Sequence, residues 1–107
     1  MNVEYTGRQT VVTAKLKTQA EAGLALVAKV ANRCNGAHVI LTEDKYRKIA
    51  EITVSCRGEQ LVATCESTEM ETALHHTLQK VEQQAIKHKK RWDTVRDHPK
   101  SIVAEAN

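Results

Sequence analysis

Lys48-Ile-Ala-Glu-Ile-Thr-Val-Ser-Cys56 alternates without a break: Ala50, Ile52, Val54 and Cys56 fall on one side, Glu51, Thr53 and Ser55 on the other. Period two means a strand, and one apolar side means a sheet with one packed face and one wet face. The neighbouring segments repeat the pattern. Downstream, Arg57-Gly58-Glu59 turns the chain into a strand over 60–66, with Leu61, Ala63 and Cys65 on the packed side. Upstream, a turn over 44–47 separates it from a strand over 37–43. Two short connections make these three strands an antiparallel meander.

Helical periods flank the meander. Over 14–33, Leu16, Ala20, Leu24, Val27, Val30 and Ala31 share a face with Gly23 among them, and Thr13 has the side chain of an N-cap. Asn35-Gly36 is the expected stop, since both residues tolerate a left-handed backbone. Gly23 weakens the helix by up to ~1 kcal/mol relative to Ala, which points to close packing on the sheet. The second helix spans Thr68 to about Trp92. Thr68 and Glu71 have capping-box spacing, and Met70, Leu74, Thr77, Leu78, Val81, Ala85, His88 and Trp92 fall in one stripe roughly 100° wide. Residues 2–6 alternate with Val3 and Tyr5 on one side, a short first strand.

The order β-α-β-β-β-α restricts the topology. A right-handed crossover makes strands one and two parallel. Strand four then runs the same way, and each helix returns against the strand before it. With one apolar sheet face, both helices pack on that face and lie parallel. The expected fold is α+β, a two-layer sandwich of a four-stranded sheet and two parallel helices, with residues 1–92 as the domain. Residues 93–107 hold the only proline, Pro99, and read as a flexible C-terminal tail.

Composition excludes several function classes. A chain of 107 residues with 41% apolar and 27% charged residues suits one globular domain. No window has the length of a membrane span, and the N-terminus lacks the regions of a signal peptide. Cys34, Cys56 and Cys65 are odd in number and lack C-x-x-C spacing, which argues against a disulfide framework and for a reducing cytoplasm. All three are placed on packed faces, where a thiol is an inert small hydrophobe. His75 and His76 point in different directions on a helix, with no further ligands at metal spacing. Glycine-rich phosphate loops and nucleophile motifs are missing from the sequence. The expectation is a non-enzyme without catalytic residues, metal or cofactor.

The basic residues are concentrated. Segments 14–33 and 80–91 together carry +7, leaving −4 for the rest of a chain whose net charge is +3. Lys15, Lys29 and Arg33 line the flank of the first helix. His76, Lys80, Gln83, Gln84, Lys87, Lys90 and Arg91 form a stripe beside the packing stripe of the second. One such stripe is ordinarily a solvated face. Two that converge at the C-terminal ends of parallel helices create a potential suited to phosphate. The chain has no phenylalanine and three aromatics, so it lacks the stacking platform used on single strands. Structured RNA, read by backbone and shape, is the expected partner. A general binder of double-stranded or structured RNA is the alternative reading.

From Met1 to about Arg91 the chain resembles the ribosome hibernation-promoting factors, also called ribosome-associated inhibitors. The carriers are Met1-Asn-Val-Glu-Tyr-Thr-Gly-Arg8, Val12-Thr13, Ala37-His-Val-Ile-Leu-Thr42, and Lys45 to Val54 with Ala50-Glu51-Ile52. Leu61-Val-Ala63, Met70 with Ala73-Leu74, and Gln83-Gln84 to Lys87-His-Lys-Lys complete them. The resemblance implies the same β-α-β-β-β-α sandwich. It also implies binding to the small ribosomal subunit and its rRNA, across the channel for mRNA and the A- and P-site tRNAs, which holds idle ribosomes of stressed bacterial cells inactive. Carried over by position, the RNA contacts are Lys15, Lys29, Arg33, Lys80, Lys87, Lys90 and Arg91, with Arg8 a weaker candidate. Neither a membrane nor a small-molecule substrate is implied. The chain departs from the pattern at Glu71, often tyrosine in relatives, at His75, often aspartate, and at Ala14, often proline. Long members carry a second domain that dimerises ribosomes; with about fifteen residues after Trp92, this sequence resembles a short form. Short members pair ribosomes with a helper protein or keep them as monomers.

Overall fold

The computed structural model describes residues 1–31 and 33–97, with side chains as far as Arg91. The elements are β1 (Asn2–Arg8), α1 (Ala14–Ala31), β2 (Cys34–Asp44), β3 (Arg47–Cys56), β4 (Glu59–Ser67) and α2 (Met70–Asp97). The sheet order is β1-β2-β3-β4, with β1 parallel to β2 and the other pairs antiparallel. One core holds the inward residues of both helices and of the strands, from Leu16 and Leu24 through Val39 and Ile52 to Leu74 and Val81. Both helices therefore cover the same sheet face, as the alternation in β3 requires.

Three contacts set the helices side by side and parallel. Lys15 Nζ lies 2.7 Å from Glu71 Oε2, and Gln19 Nε2 donates to the Glu71 carbonyl at 2.9 Å. One turn further, Gly23 faces Leu78 so closely that a Cβ there would sit 2.6 Å from a Leu78 methyl. Gly23 thus serves helix–helix approach, and the expectation that it packs on the sheet is corrected. Gly23→Ala should lower stability by about 1–2 kcal/mol, because overpacking outweighs the helix propensity gained. Adding Leu78→Ala should make the double variant less destabilised than the sum of the two single changes in thermal unfolding.

Local signals hold at one helix start and fail at two other ends. Thr13 Oγ1 accepts from the Leu16 N–H at 3.2 Å, so α1 begins as its cap predicts. α2 starts at Met70, with the Glu69 carbonyl accepting from Ala73 N at 3.0 Å. The Thr68 capping box is not formed among the described contacts; Glu71 pairs with Lys15 instead. At the end of α1 the left-handed residue is Arg33 (φ 52°), ahead of Asn35-Gly36. Asn35 and Gly36 belong to β2, where Gly36 pairs with Asn2 and Ser55. α2 continues through Asp97, and of the expected tail over 93–107 the residues 98–107 lie outside the described residues.

This shift of β2 changes the chemistry of the cysteines. Cys34 and Cys56 become cross-strand partners with Cα atoms 4.1 Å apart, and their sulfurs are joined as a disulfide. Cys65 is free. The expectation of no disulfide is corrected here. The reason is local: a helix over 14–33 and a strand starting at Ala37 leave Cys34 in the connection, whereas β2 begins at Cys34 itself, opposite Cys56.

The sheet edges are finished differently. Gln84 on α2 holds the backbone of β4, accepting from Val62 N at 3.2 Å and donating to Val62 O at 2.8 Å. That saturates a stretch of edge strand otherwise open to pairing. At the β1 edge, the Tyr5 hydroxyl donates to Glu21 Oε2 at 3.0 Å, and the Lys17 ammonium lies 5.5 Å from the ring centre. Burial first, then the hydrogen bond and the charge of Glu21, push the Tyr5 pKa up to about 12 from 10.0. The folded state favours the neutral phenol, so this stabilisation is complete below pH 10 and disappears as pH rises through about 12. In a Tyr46→Phe background, phenolate absorbance should rise near pH 12, and Glu21→Gln should move that rise to lower pH.

Candidate nucleic-acid interface

The parallel helices and the β strands divide the bases between two ends of the molecule. At the end where the helices begin, carboxylates accompany the bases. Lys15 meets Glu71; Arg47 lies 3.0 Å from Glu66 and 3.5 Å from Asp44; Lys48 lies 2.8 Å from Glu43. The hydrogen bond and charge of Glu71 raise the Lys15 pKa, and those of Lys48 hold Glu43 below the usual carboxylate range. Arg8 is exposed at the C-terminus of β1, also at this end. The potential here is largely cancelled.

The opposite end is different. The offset of 55 to 56 residues at Gly23–Leu78 and Lys15–Glu71 places Ala31, the last residue of α1, level with Ile86 and Lys87. The turn between β3 and β4 bridges the end of α1 and the stretch of α2 around Arg91. Its Arg57 N–H donates to the Arg33 carbonyl at 3.3 Å, and Arg57 Nε donates to the Ala31 carbonyl at 3.2 Å. That guanidinium therefore sits at the negative end of the α1 macrodipole and satisfies one of its orphan carbonyls. Two residues on, Glu59 Oε2 lies 2.8 Å from Arg91 and 3.3 Å from His88 Nδ1. Arg33 and Arg91 thus flank one turn, with Arg57 between them. Lys29, Arg33, Lys80 and Lys87 are exposed, and none has a carboxylate partner among the described residues.

The stripes do not merge along their whole length. Gln84 and Arg91 reach the β4 side of α2, so Lys80 and Lys87, a turn away on the same flank, face away from α1. The groove between the helices is lined by Gln19, Ala22, Leu26, His75, Gln79 and Glu82, with no lysine or arginine among them. The bases join only at the C-terminal end, where Lys89 lies on the α1 side and Lys90 on the outer side of α2. Of the expected contact residues, Lys29, Arg33, Lys87, Lys90 and Arg91 come together there, with Lys80 about two turns back. Lys15 and Arg8 do not join them.

Sequence reading missed Arg57, Lys89 and the Glu59–His88 pair. Arg57 was read as a turn residue, and Arg57-Gly58 does carry that signal; both take positive φ. Lys89 lies outside either stripe of α2 by helical angle. His88 was placed in the packing stripe and is only partly buried, holding Glu59. The side chain of Trp92, expected in that stripe, lies outside the described residues.

Such a surface offers ammonium and guanidinium groups that can meet phosphate. No cluster of metal-ligating side chains occurs among the described residues. Of the aromatics, Tyr5 is tied to Glu21, and Tyr46 sits exposed in the β2–β3 turn.

Residues 3–93 match the family model described as sigma 54 modulation protein / S30EA ribosomal protein. Over 91 residues, 85% of this chain and 85% of the relative, the sequence is 30% identical to the ribosome hibernation promoting factor of Azotobacter vinelandii. A ribosomal subunit interface protein from Coxiella burnetii has the same fold, with TM-score 0.77 at 24% identity over 84% of this chain and 99% of that one. The N-terminal domain of Thermus thermophilus Protein Y gives 0.75 at 22% identity, over 82% and 99%.

Proposed function

Because the chain belongs to the sigma 54 modulation protein / S30EA ribosomal protein family, we propose that it is a ribosome hibernation factor of the bacterial cytoplasm. It binds the small ribosomal subunit at the mRNA and tRNA channel, A and P sites included, and blocks translation in idle or stressed cells. The observation that carries this reading is the end where Arg33 and Arg91 flank the β3–β4 turn, with Lys29, Lys87 and Lys90 on the adjoining turns of α1 and α2. Cations on two helices and a turn, without a base-stacking platform, suit phosphates arranged in a folded RNA. The mechanism is occlusion. The domain occupies the channel, no bond is made or broken, and release follows when competing ligands or conditions weaken the phosphate contacts.

Co-sedimentation with purified small subunits tests this. The protein should pellet with subunits at low salt and dissociate steeply as salt rises, because each phosphate contact releases counterions. Absence from the pellet at low salt would sink the proposal. A short RNA duplex that competes as well as the subunits would favour a general double-stranded RNA binder. Within that result, Lys15→Ala should weaken binding less than Lys87→Ala, since Glu71 already offsets the Lys15 charge.

A further inference from the structure

The Cys34–Cys56 disulfide lies at the centre of the basic end, and this placement has no counterpart elsewhere among the described residues. Each cysteine is the chain neighbour of an arginine, Arg33 before Cys34 and Arg57 after Cys56. Both arginines hold left-handed backbones, φ 52° and 53°, a conformation that non-glycine residues keep only when their surroundings enforce it. The Arg57 backbone is that of the first residue of a two-residue hairpin turn between Cys56 and Glu59, and the disulfide lies beside both arginines. The disulfide joins the two strands where the β2–β3 pairing ends, beside a register shift between Cys34 and Gly36. The Arg57 N–H and Nε then bind the carbonyls of Arg33 and Ala31. Cys56 is buried, whereas Cys34 is partly buried at the edge of the core.

We propose that the Cys34–Cys56 pair is a thiol–disulfide switch that sets the affinity of the basic end for rRNA. This rests on the RNA-binding reading above and adds its regulation. In the oxidised form the crosslink holds Arg33 and Arg57 at one spacing, so binding needs little ordering of the loop. In the dithiol form that constraint is gone, the end of α1 and the Arg57 turn loosen, and the two guanidiniums no longer act as a fixed pair.

The chemistry is exchange with a small-molecule disulfide such as oxidised glutathione. The Cys34 thiolate attacks one sulfur of that disulfide and expels a thiolate. The Cys56 thiolate then attacks the Cys34 sulfur of the mixed disulfide and expels the second. The protein loses two electrons and two protons, and the small disulfide becomes two thiols. A dithiol reductant reverses both steps.

The test uses the full chain equilibrated in oxidised or reduced glutathione, with the state verified by intact mass, a difference of about two hydrogens. Small-subunit binding and amide hydrogen exchange of the free protein are then measured in each state. The oxidised form should bind roughly tenfold more tightly, and the Cys34→Ala/Cys56→Ala variant should bind like the reduced form under both conditions. Amides at 33–35 and 57–59 should exchange faster in the reduced form. Equal affinity in the two verified states would overturn the switch, as would equal exchange, or failure of the disulfide to form. Absence of binding in both states would instead overturn the ribosome-binding reading, and the switch with it, while exchange alone would still report whether the clasp exists.

Discussion

Glutamate at positions 29, 87 and 90 together should abolish co-sedimentation with the small subunit at salt concentrations where the parent chain pellets fully. The three lysines are exposed, and their replacement removes nothing from the core. Each phosphate contact contributes a slope of about −0.7 to −0.9 in the logarithm of the binding constant against the logarithm of salt. Losing three contacts should flatten that slope by two to three and, with repulsion from three new carboxylates, cost at least about a thousandfold in affinity. Arg91 is left out of this variant for a structural reason. Its guanidinium is held by Glu59 at 2.8 Å, so a glutamate there would set two carboxylates against each other and disturb the α2–β4 contact. Unchanged far-UV circular dichroism would show that the triple variant is folded. Retained pelleting with a parental salt slope would show that the surface lies elsewhere, the open face of the sheet being the remaining polar candidate.

Reduction of the Cys34–Cys56 disulfide should lower the melting temperature by on the order of 10–20 °C. The two cysteines are 22 residues apart in sequence, and closing a loop of that size in the unfolded chain is worth about 3 kcal/mol in the chain-entropy model. For a domain of this size each kcal/mol shifts the melting temperature by about 4–8 °C. Thermal unfolding with and without reductant measures the effect, and Cys34→Ala should reproduce the reduced value in both buffers. The comparison is clean because Cys34 is only half-buried, so alanine there leaves a small cavity term. A melting temperature indifferent to reductant would mean that the two sulfurs are not linked in solution. This effect on global stability is separate from the effect on affinity, which is read well below the transition.

Much of the architecture was legible because the signals behind it are local. The alternation over 48–56 identifies a half-buried strand by itself, since successive side chains must point to opposite faces. Thr13 caps α1 for a similarly short-range reason, its hydroxyl lying within reach of the third amide of the helix. The stripes of α1 and α2 identify which sides are buried, and Thr77, a polar residue inside that stripe, is buried with its hydroxyl directed at the Ala50 and Ala73 carbonyls. Where local signals competed, sequence reading chose wrongly. Asn35-Gly36 is a stronger helix stop on intrinsic preference than Arg33, yet strand pairing of Gly36 with β1 and β3 outweighs that preference. Thr68 and Glu71 have the spacing of a capping box, but Lys15 from another helix takes the carboxylate.

The sequence by itself determined the β-α-β-β-β-α order, the one-sided sheet, the parallel helices and the two concentrations of base. Each follows from periodicity, short connections and charge counted along the chain. Only the tertiary structure decided which of those bases keep their field. Lys15 is offset by Glu71, 56 positions away; Arg91 is anchored by Glu59; Lys29 and Lys87 meet no carboxylate among the described residues. It also decided that Cys34 faces Cys56, that Gly23 admits Leu78, and that Gln84 closes the β4 edge. The physical reason is common to all of them. A Coulomb pair, a disulfide and a van der Waals contact depend on separations of a few ångströms between residues distant in sequence, and those separations are set by strand register and helix offset, which no local pattern contains.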